Sequence, residues 1–123
     1  MKTEKEWTTE AGLKAQVVAT PMGHRCGYVS VPAEHPMYEK HYDDVAVDVH
    51  GGLTYADRHD GSWWLGYDCA HLGDARDPEL MSDKYKEAFS HWSNFTEGTI
   101  RTLDFCVAEC ESLAKQLMKG EAK

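Results

Sequence analysis

The middle of the chain concentrates the side chains that most often carry chemistry. Six of the seven histidines fall between residues 24 and 71. Two segments there combine histidine and acid with glycine. Residues 50–55 read His-Gly-Gly-Leu-Thr-Tyr, and residues 63–74 read Trp-Trp-Leu-Gly-Tyr-Asp-Cys-Ala-His-Leu-Gly-Asp. A functional site is therefore expected in these two segments.

Asp68, His71 and Asp74 recur at intervals of three, where a strand is expected to end. Carboxylate and imidazole groups bind Zn²⁺ and Mn²⁺, and His50 could supply a further ligand. The spacing matches no strong zinc motif. The alternative is a structural network, in which the carboxylates accept hydrogen bonds from turn amides. We therefore expect a site without a cofactor, and a site that binds a divalent metal is the alternative.

The Gly51-Gly52 pair and two arginines could hold an anion. Consecutive glycines can point successive backbone amides at one anion, although Gly-Gly is also an ordinary hairpin turn. Arg25 and Arg58 follow turn signals and could bind a phosphate or carboxylate through two hydrogen bonds. Pairing with nearby acids is the other expectation for them.

Two adjacent tryptophans mark the strand that leads into the second segment. Because side chains alternate along a strand, Trp63 and Trp64 must lie on opposite faces. The outward-facing one, Trp64 or Trp63, would form a flat apolar shelf beside Gly66 on which a base or ring can stack. Alternatively, the helices cover that face.

Alternating and short apolar runs predict the strands that position these residues. The predicted strands are residues 13–20, 26–31, 45–49, 53–56 and 63–70. Proline, glycine and polar residues separate them, which favours a largely antiparallel sheet. Residues 1–12 are expected to form a flexible N-terminal segment.

The C-terminal part changes to helical periodicity. Asp77-Pro78 predicts one helix start, with the apolar positions of that helix running to Trp92. Thr102 predicts the N-cap of a longer helix, and Gly120 its end. Strands followed by helices predict one α+β domain over residues 1–123, with four to five antiparallel strands packed against one or two C-terminal helices.

The composition excludes some classes of partner. The chain has 123 residues, 13 Lys+Arg and 21 Asp+Glu, so its net charge is −8. Proteins that bind duplex nucleic acid or an anionic membrane surface need a basic surface, so neither partner is expected. No apolar run is long enough to span a membrane, and the first residues do not resemble a signal peptide. Four widely spaced cysteines are expected to be reduced, in the cytoplasm.

The sequence resembles a family of small, mostly uncharacterised proteins of tailed bacteriophages and prophages. The resemblance rests on Gly-Tyr-Val-x-Val-Pro-x-x-His-Pro-x-Tyr at residues 27–38 and on the valine strand running into His-Gly-Gly-Leu-Thr-Tyr at residues 48–56. It also rests on the tryptophan-rich motif at residues 63–74 and on the Glu-Cys-x-x-Leu-Ala-x-Gln-Leu helix at residues 109–117. The resemblance implies a phage-encoded protein that acts in the bacterial cytoplasm, as an accessory or anti-defence factor. No established activity comes with it.

Three functions follow as expectations. The first is a binding protein that sequesters a small nucleotide-derived ligand, such as a host immune signal, without catalysis. The second is a metal-dependent hydrolase of phosphate esters, and the third is a structural or host-protein-binding factor. No catalytic residue is assigned, and a homo-oligomer is expected. The expected ligand-binding residues are Arg25, His50, Gly51, Gly52, Tyr55, Arg58, Trp64, Asp68 and His71; the alternative metal ligands are His50, Asp68, His71 and Asp74.

Overall fold

The computed structural model describes residues 1–88 and 98–120 of the chain. Its elements are named here in chain order. They are β1 (Lys2–Thr8), β2 (Lys14–Ala19), β3 (Arg25–Val31), a 3₁₀ turn (Tyr42–Asp44), β4 (Tyr55–His59), β5 (Ser62–Asp68), β6 (Asp74–Ala75), α1 (Asp83–Ala88), β7 (Thr99–Ile100) and α2 (Leu103–Gly120).

Five of the strands form one antiparallel sheet in the order β1-β2-β3-β5-β4. The short strands β6 and β7 pair in parallel beside it. The predicted α+β fold is confirmed, because the sheet packs against the C-terminal helix α2. The strands predicted at residues 13–20, 26–31 and 63–70 correspond to β2, β3 and β5. The strand predicted at residues 53–56 begins later, as β4.

Helix α2 covers one face of the sheet and forms the main core with it. Its apolar stripe includes Cys106, Cys110 and Leu113, all fully buried. Side chains alternate between the two faces of each strand, so every second sheet residue points toward the helix. These residues include Ala15, Val17, Val29, Val31, Leu65 and Tyr67. Phe105 N donates a hydrogen bond to Thr102 Oγ1 at 3.1 Å, so the predicted N-cap is confirmed.

Two tyrosines pack across two glycines at the centre of the sheet. In the β3–β5 register, Gly27 lies opposite Tyr67 and Tyr28 lies opposite Gly66. The Tyr67 ring lies across Gly27 on the helix side, because a Cβ atom at Gly27 would be 2.4 Å from that ring. The Tyr28 ring lies across Gly66 on the other side, where a Cβ atom would be 2.5 Å from it. Only glycine fits beneath either ring.

Strand β1 lies in the segment that was expected to be flexible. It pairs with β2 along the edge of the sheet, from Lys2 opposite Ala19 to Thr8 opposite Lys14. Lys2, Lys5 and Glu6 are exposed, which is typical of an edge strand protected against further pairing. Trp7 anchors its end, because Trp7 Nε1 donates a hydrogen bond to Glu111 of α2 at 2.7 Å.

The prediction of a strand at residues 45–49 is wrong. Val45 and Val49 are buried as the alternation predicts, but the segment pairs with no strand. It runs along α2 instead, where the Gln116 side chain bonds both the Asp48 amide and the Asp48 carbonyl at 2.7 Å. A helix side chain therefore satisfies the backbone groups that a neighbouring strand would have paired.

The first helix begins later than Asp77-Pro78 predicts. Asp77 accepts a hydrogen bond from the Glu79 amide, and Leu80 N donates to Asp77 O. These bonds close a turn, and α1 starts only at Asp83. The predicted apolar positions Phe89 and Trp92 lie outside the described residues. No helix in the described ranges is long and apolar enough to cross a membrane.

The glycine–tyrosine packing predicts a large effect of a small substitution. Gly27→Ala should lower the free energy of unfolding by about 2 kcal/mol, because the added methyl group overlaps the buried Tyr67 ring. Chemical denaturation followed by circular dichroism measures this change. Lys115→Ala, on the exposed side of α2, is the control and should change it by less than about 0.5 kcal/mol. Equal stability of Gly27→Ala and the wild type would contradict the packing.

Candidate functional site

Asp74 is the centre of a hydrogen-bonded cluster between the loops and α2. Its carboxylate is completely buried. His50 Nε2 donates to it, with distances of 3.0 and 2.9 Å to the two oxygens. Arg101 Nε lies 2.7 Å from Oδ1, and the His71 amide donates to Oδ2 at 3.1 Å. The carboxylate thus joins three separate parts of the chain.

Burial and hydrogen bonding act on this carboxylate in opposite directions. Burial alone would raise the pKa of Asp74, but the hydrogen bonds from His50, Arg101 and the His71 amide outweigh it. The pKa of Asp74 is therefore below its ordinary value. The ionised form is the one that these donors require.

His71 and Asp68 form the neighbouring part of the cluster. The His71 ring lies against the backbone of Gly51, where a Cβ atom would be 2.2 Å from Nε2. His71 Nε2 is 3.2 Å from Asp68 Oδ1, without the geometry of a hydrogen bond. Asp68 accepts hydrogen bonds from Thr54 Oγ1 and from the Ala70 amide, both at 3.0 Å.

The structure therefore brings together all four residues of the predicted metal alternative. The His50 and His71 rings are 5.9 Å apart, edge to face. Both oxygens of Asp74 already accept hydrogen bonds, as the structural-network alternative expects. Within residues 1–88 and 98–120, no group of three or more such side chains is arranged to hold a metal ion.

A second candidate site lies on the sheet face opposite α2. No described helix packs on this face. Two adjoining cavities of about 500 and 250 Å³ lie on it; together they are called the open groove. Aromatic and polar side chains line this groove: Glu6, Trp7, Thr8, Lys14, Gln16, Tyr28, Tyr55, His59, Asp60, Ser62 and Trp64.

Three aromatic residues form the apolar part of the open groove. Trp64 borders both cavities and is half-buried, and its Nε1 is buried without a hydrogen-bond partner among the described residues. The Tyr28 and Tyr55 rings meet edge to face, with centroids 5.3 Å apart. Burial raises the pKa of Tyr28, so its hydroxyl stays protonated. Trp64 thus faces away from α2, and the Tyr28 ring covers Gly66 beside it.

The predicted ligand-binding residues separate into three groups: residues of the open groove, residues in or beside the Asp74 cluster, and the two arginines. Tyr55 and Trp64 line the open groove. The Asp74 cluster contains or adjoins His50, Gly51, Gly52, Asp68 and His71. The Gly52 amide donates to Val49 O at 2.8 Å and so closes a turn. Because residues 45–49 form no strand, this turn is not the hairpin that was the alternative to an anion nest.

Neither arginine lines the open groove, and both are paired with acids. Arg25 also contacts the Asp74 cluster, because its Nη1 donates to Arg101 O at 3.2 Å. Arg25 Nε is 2.6 Å from Glu4, and its Nη1 is 3.1 Å from Asp77. The Arg58 guanidinium pairs with Glu39. Pairing with acids, the other expectation for these arginines, is what the structure shows.

Sequence reasoning missed Tyr28, Gln16 and His59 as parts of the groove. The alternation in β2 and β3 does place Gln16 and Tyr28 opposite the apolar positions. What the sequence does not supply is the register, which brings Tyr28, Tyr55 and Gly66 side by side.

Comparison with known proteins adds no relative. The chain matches no protein-family model, and neither a curated protein nor a solved structure is significantly similar to it.

The Asp74 cluster predicts a loss of stability at acidic pH. Asp74→Asn should lower the free energy of unfolding by about 2 kcal/mol at neutral pH, because hydrogen bonds to a buried charge are lost. The folded-state pKa of Asp74 is below the unfolded value of about 4. Its contribution is therefore present above pH 4 and disappears as the pH falls through the folded pKa. Urea denaturation at a series of pH values measures this effect.

The control is Glu34→Gln, which removes one exposed negative charge away from the cluster. This variant should not change how the free energy of unfolding decreases at acidic pH. If Asp74→Asn and the wild type differ by the same amount at every pH, the carboxylate does not stabilise the fold through its charge.

Proposed function

We propose that the chain is a non-catalytic binding protein that sequesters a small nucleotide-derived ligand in the open groove. The observation that carries this proposal is a sheet face that no described helix covers and on which Trp64, Tyr28 and Tyr55 line a groove. Aromatic side chains on a sheet are the usual platform for stacking bases, and each stacked base contributes about 1–3 kcal/mol.

The size of the open groove supports a small ligand. Pockets for small molecules are typically about 300–1,000 Å³ in volume. The larger cavity is about 500 Å³ and the adjoining one about 250 Å³. The two cavities share Gln16, His59 and Trp64, so one ligand can extend across both.

The polar side chains of the open groove can supply specificity. The Gln16 amide, the Ser62 hydroxyl and the His59 ring are hydrogen-bonding groups that suit the edge of a base or sugar hydroxyls. In this proposal Tyr55 and Trp64 keep their predicted role, and Gln16 and Tyr28 join them.

The residues of the Asp74 cluster hold the scaffold in this proposal. His50, Asp68 and His71 bond or contact one another, and Arg25 and Arg58 pair with acids. The biological setting rests on the phage-family resemblance alone. We propose on that basis a phage-encoded anti-defence factor that acts in the bacterial cytoplasm as a homo-oligomer.

Ligand recovery tests the proposal against the hydrolase alternative. The purified protein is incubated with ribonucleosides and ribonucleotides, separated from free ligand and heat-denatured, and the released molecules are identified by chromatography. The proposal expects intact ligand at a fixed ratio to protein. Released product together with stoichiometric metal would instead establish the hydrolase.

The two adjacent tryptophans provide a matched pair of variants for the binding site. Trp64→Leu should weaken nucleoside binding by roughly 10- to 100-fold, because it removes the stacking surface. Trp63→Leu should change the affinity less than about twofold, since Trp63 lies on the helix side and its Nε1 donates to Lys40 O. Isothermal titration calorimetry measures both. Equal losses in the two variants would place the ligand elsewhere.

A further inference from the structure

The charges around the open groove are mainly negative. Glu6 and Asp60 line it, and Lys14 is its one lysine or arginine among the described residues. Asp57 lies on the same face, directly opposite Trp64 in the β4–β5 register. Gln16 Nε2 donates to Glu6 at 3.2 Å, which holds that carboxylate across the sheet face.

The arginines that were expected to hold phosphate do not contribute to this face. Arg25 lies on the helix side, where Glu4 and Asp77 neutralise it. Arg58 is opposite Trp63 and pairs with Glu39. A phosphate group in the open groove would therefore lie near carboxylates, and among the described lining residues Lys14 is the one lysine or arginine that could offset its negative charge.

Aromatic rings and carboxylates together favour a positive charge. The face of an aromatic ring carries negative electrostatic potential and attracts cations, and tryptophan does so most strongly. Trp64, Tyr28 and Tyr55 supply such rings, and Glu6, Asp57 and Asp60 add full negative charges near them. The same arrangement repels polyphosphates, so it discriminates between ligands that share a base or ring.

We infer that the ligand of the open groove is a nucleoside whose ring carries a positive charge, without a compensating phosphate. This inference rests on the proposed function. It restricts the ligand to cationic N-substituted heterocycles, whose flat ring stacks on Trp64 while its charge faces Glu6 and Asp60.

Nicotinamide riboside and its relatives provide probes of different charge built on the same nucleoside. Nicotinamide riboside has a pyridinium ring, its 1,4-dihydro form has a neutral ring of the same size, and nicotinamide mononucleotide adds a phosphate. Calorimetry with the wild-type protein should show the riboside binding roughly tenfold more tightly than the dihydro form. The mononucleotide should bind more weakly than the riboside, and added salt should reduce the preference.

Charge-neutralising variants locate the selectivity. Glu6→Gln and Asp60→Asn should each reduce the ratio of riboside affinity to dihydro-form affinity severalfold. Glu34→Gln removes the same charge far from the groove and should preserve the preference. Circular dichroism shows whether each variant is folded.

The outcomes separate this inference from the proposed function. If the dihydro form or the mononucleotide binds as tightly as the riboside, and Trp64→Leu weakens that binding, the groove binds nucleosides but the inference is overturned. The inference is also overturned, and the proposed function kept, if neutral ribonucleosides bind and nicotinamide riboside does not. If no nucleoside or nucleotide binds at all, both fail together.

Discussion

The packing of two tyrosines across two glycines determines both faces of this protein. Tyr67 lies across Gly27 toward α2, and its hydroxyl donates to Cys106 O at 2.9 Å, which ties the helix to the centre of the sheet. Tyr28 lies across Gly66 on the opposite face and forms part of the open groove. Because the two pairs are adjacent in one register, the core and the groove depend on the same alignment of β3 and β5.

The acidic surplus of the chain has two different structural consequences. Inside the scaffold, each buried or half-buried carboxylate has donors: Asp74 has His50 and Arg101, and Glu4 has Arg25. These contacts hold loops and edges that contain little apolar surface of their own. On the open face the carboxylates outnumber the bases, which leaves a negative potential around the aromatic side chains. The same composition thus fixes the loops and sets the electrostatics of the groove.

Most of the sheet and the long helix could be predicted from local pattern, whereas pairing partners could not. The period-two strands β2, β3 and β5 and the capped helix α2 follow from their own residues. Strand β1 was not predicted because an edge strand rich in charged residues has a composition similar to that of a loop. The strand prediction for residues 45–49 was wrong because the alternation indicates that Val45 and Val49 are buried, but it does not identify what pairs with the backbone. In the structure that partner is the Gln116 side chain of α2. The groove needs residues from five strands and the register that aligns them, and neither can be predicted from one segment.

The position of Trp64 shows how strongly the proposed site depends on that register. A slip of one residue in β5 would turn Trp64 toward α2 and Trp63 toward the open face, and would move Tyr67 away from Gly27. The core would then receive Trp64, Gly66 and Asp68 in place of Trp63, Leu65 and Tyr67, which would bury a carboxylate and remove the Tyr67 ring. The core therefore excludes the slipped register. Consequently the helix, which packs on the opposite face of the sheet from Trp64, Tyr28 and Tyr55, maintains the arrangement of these three residues.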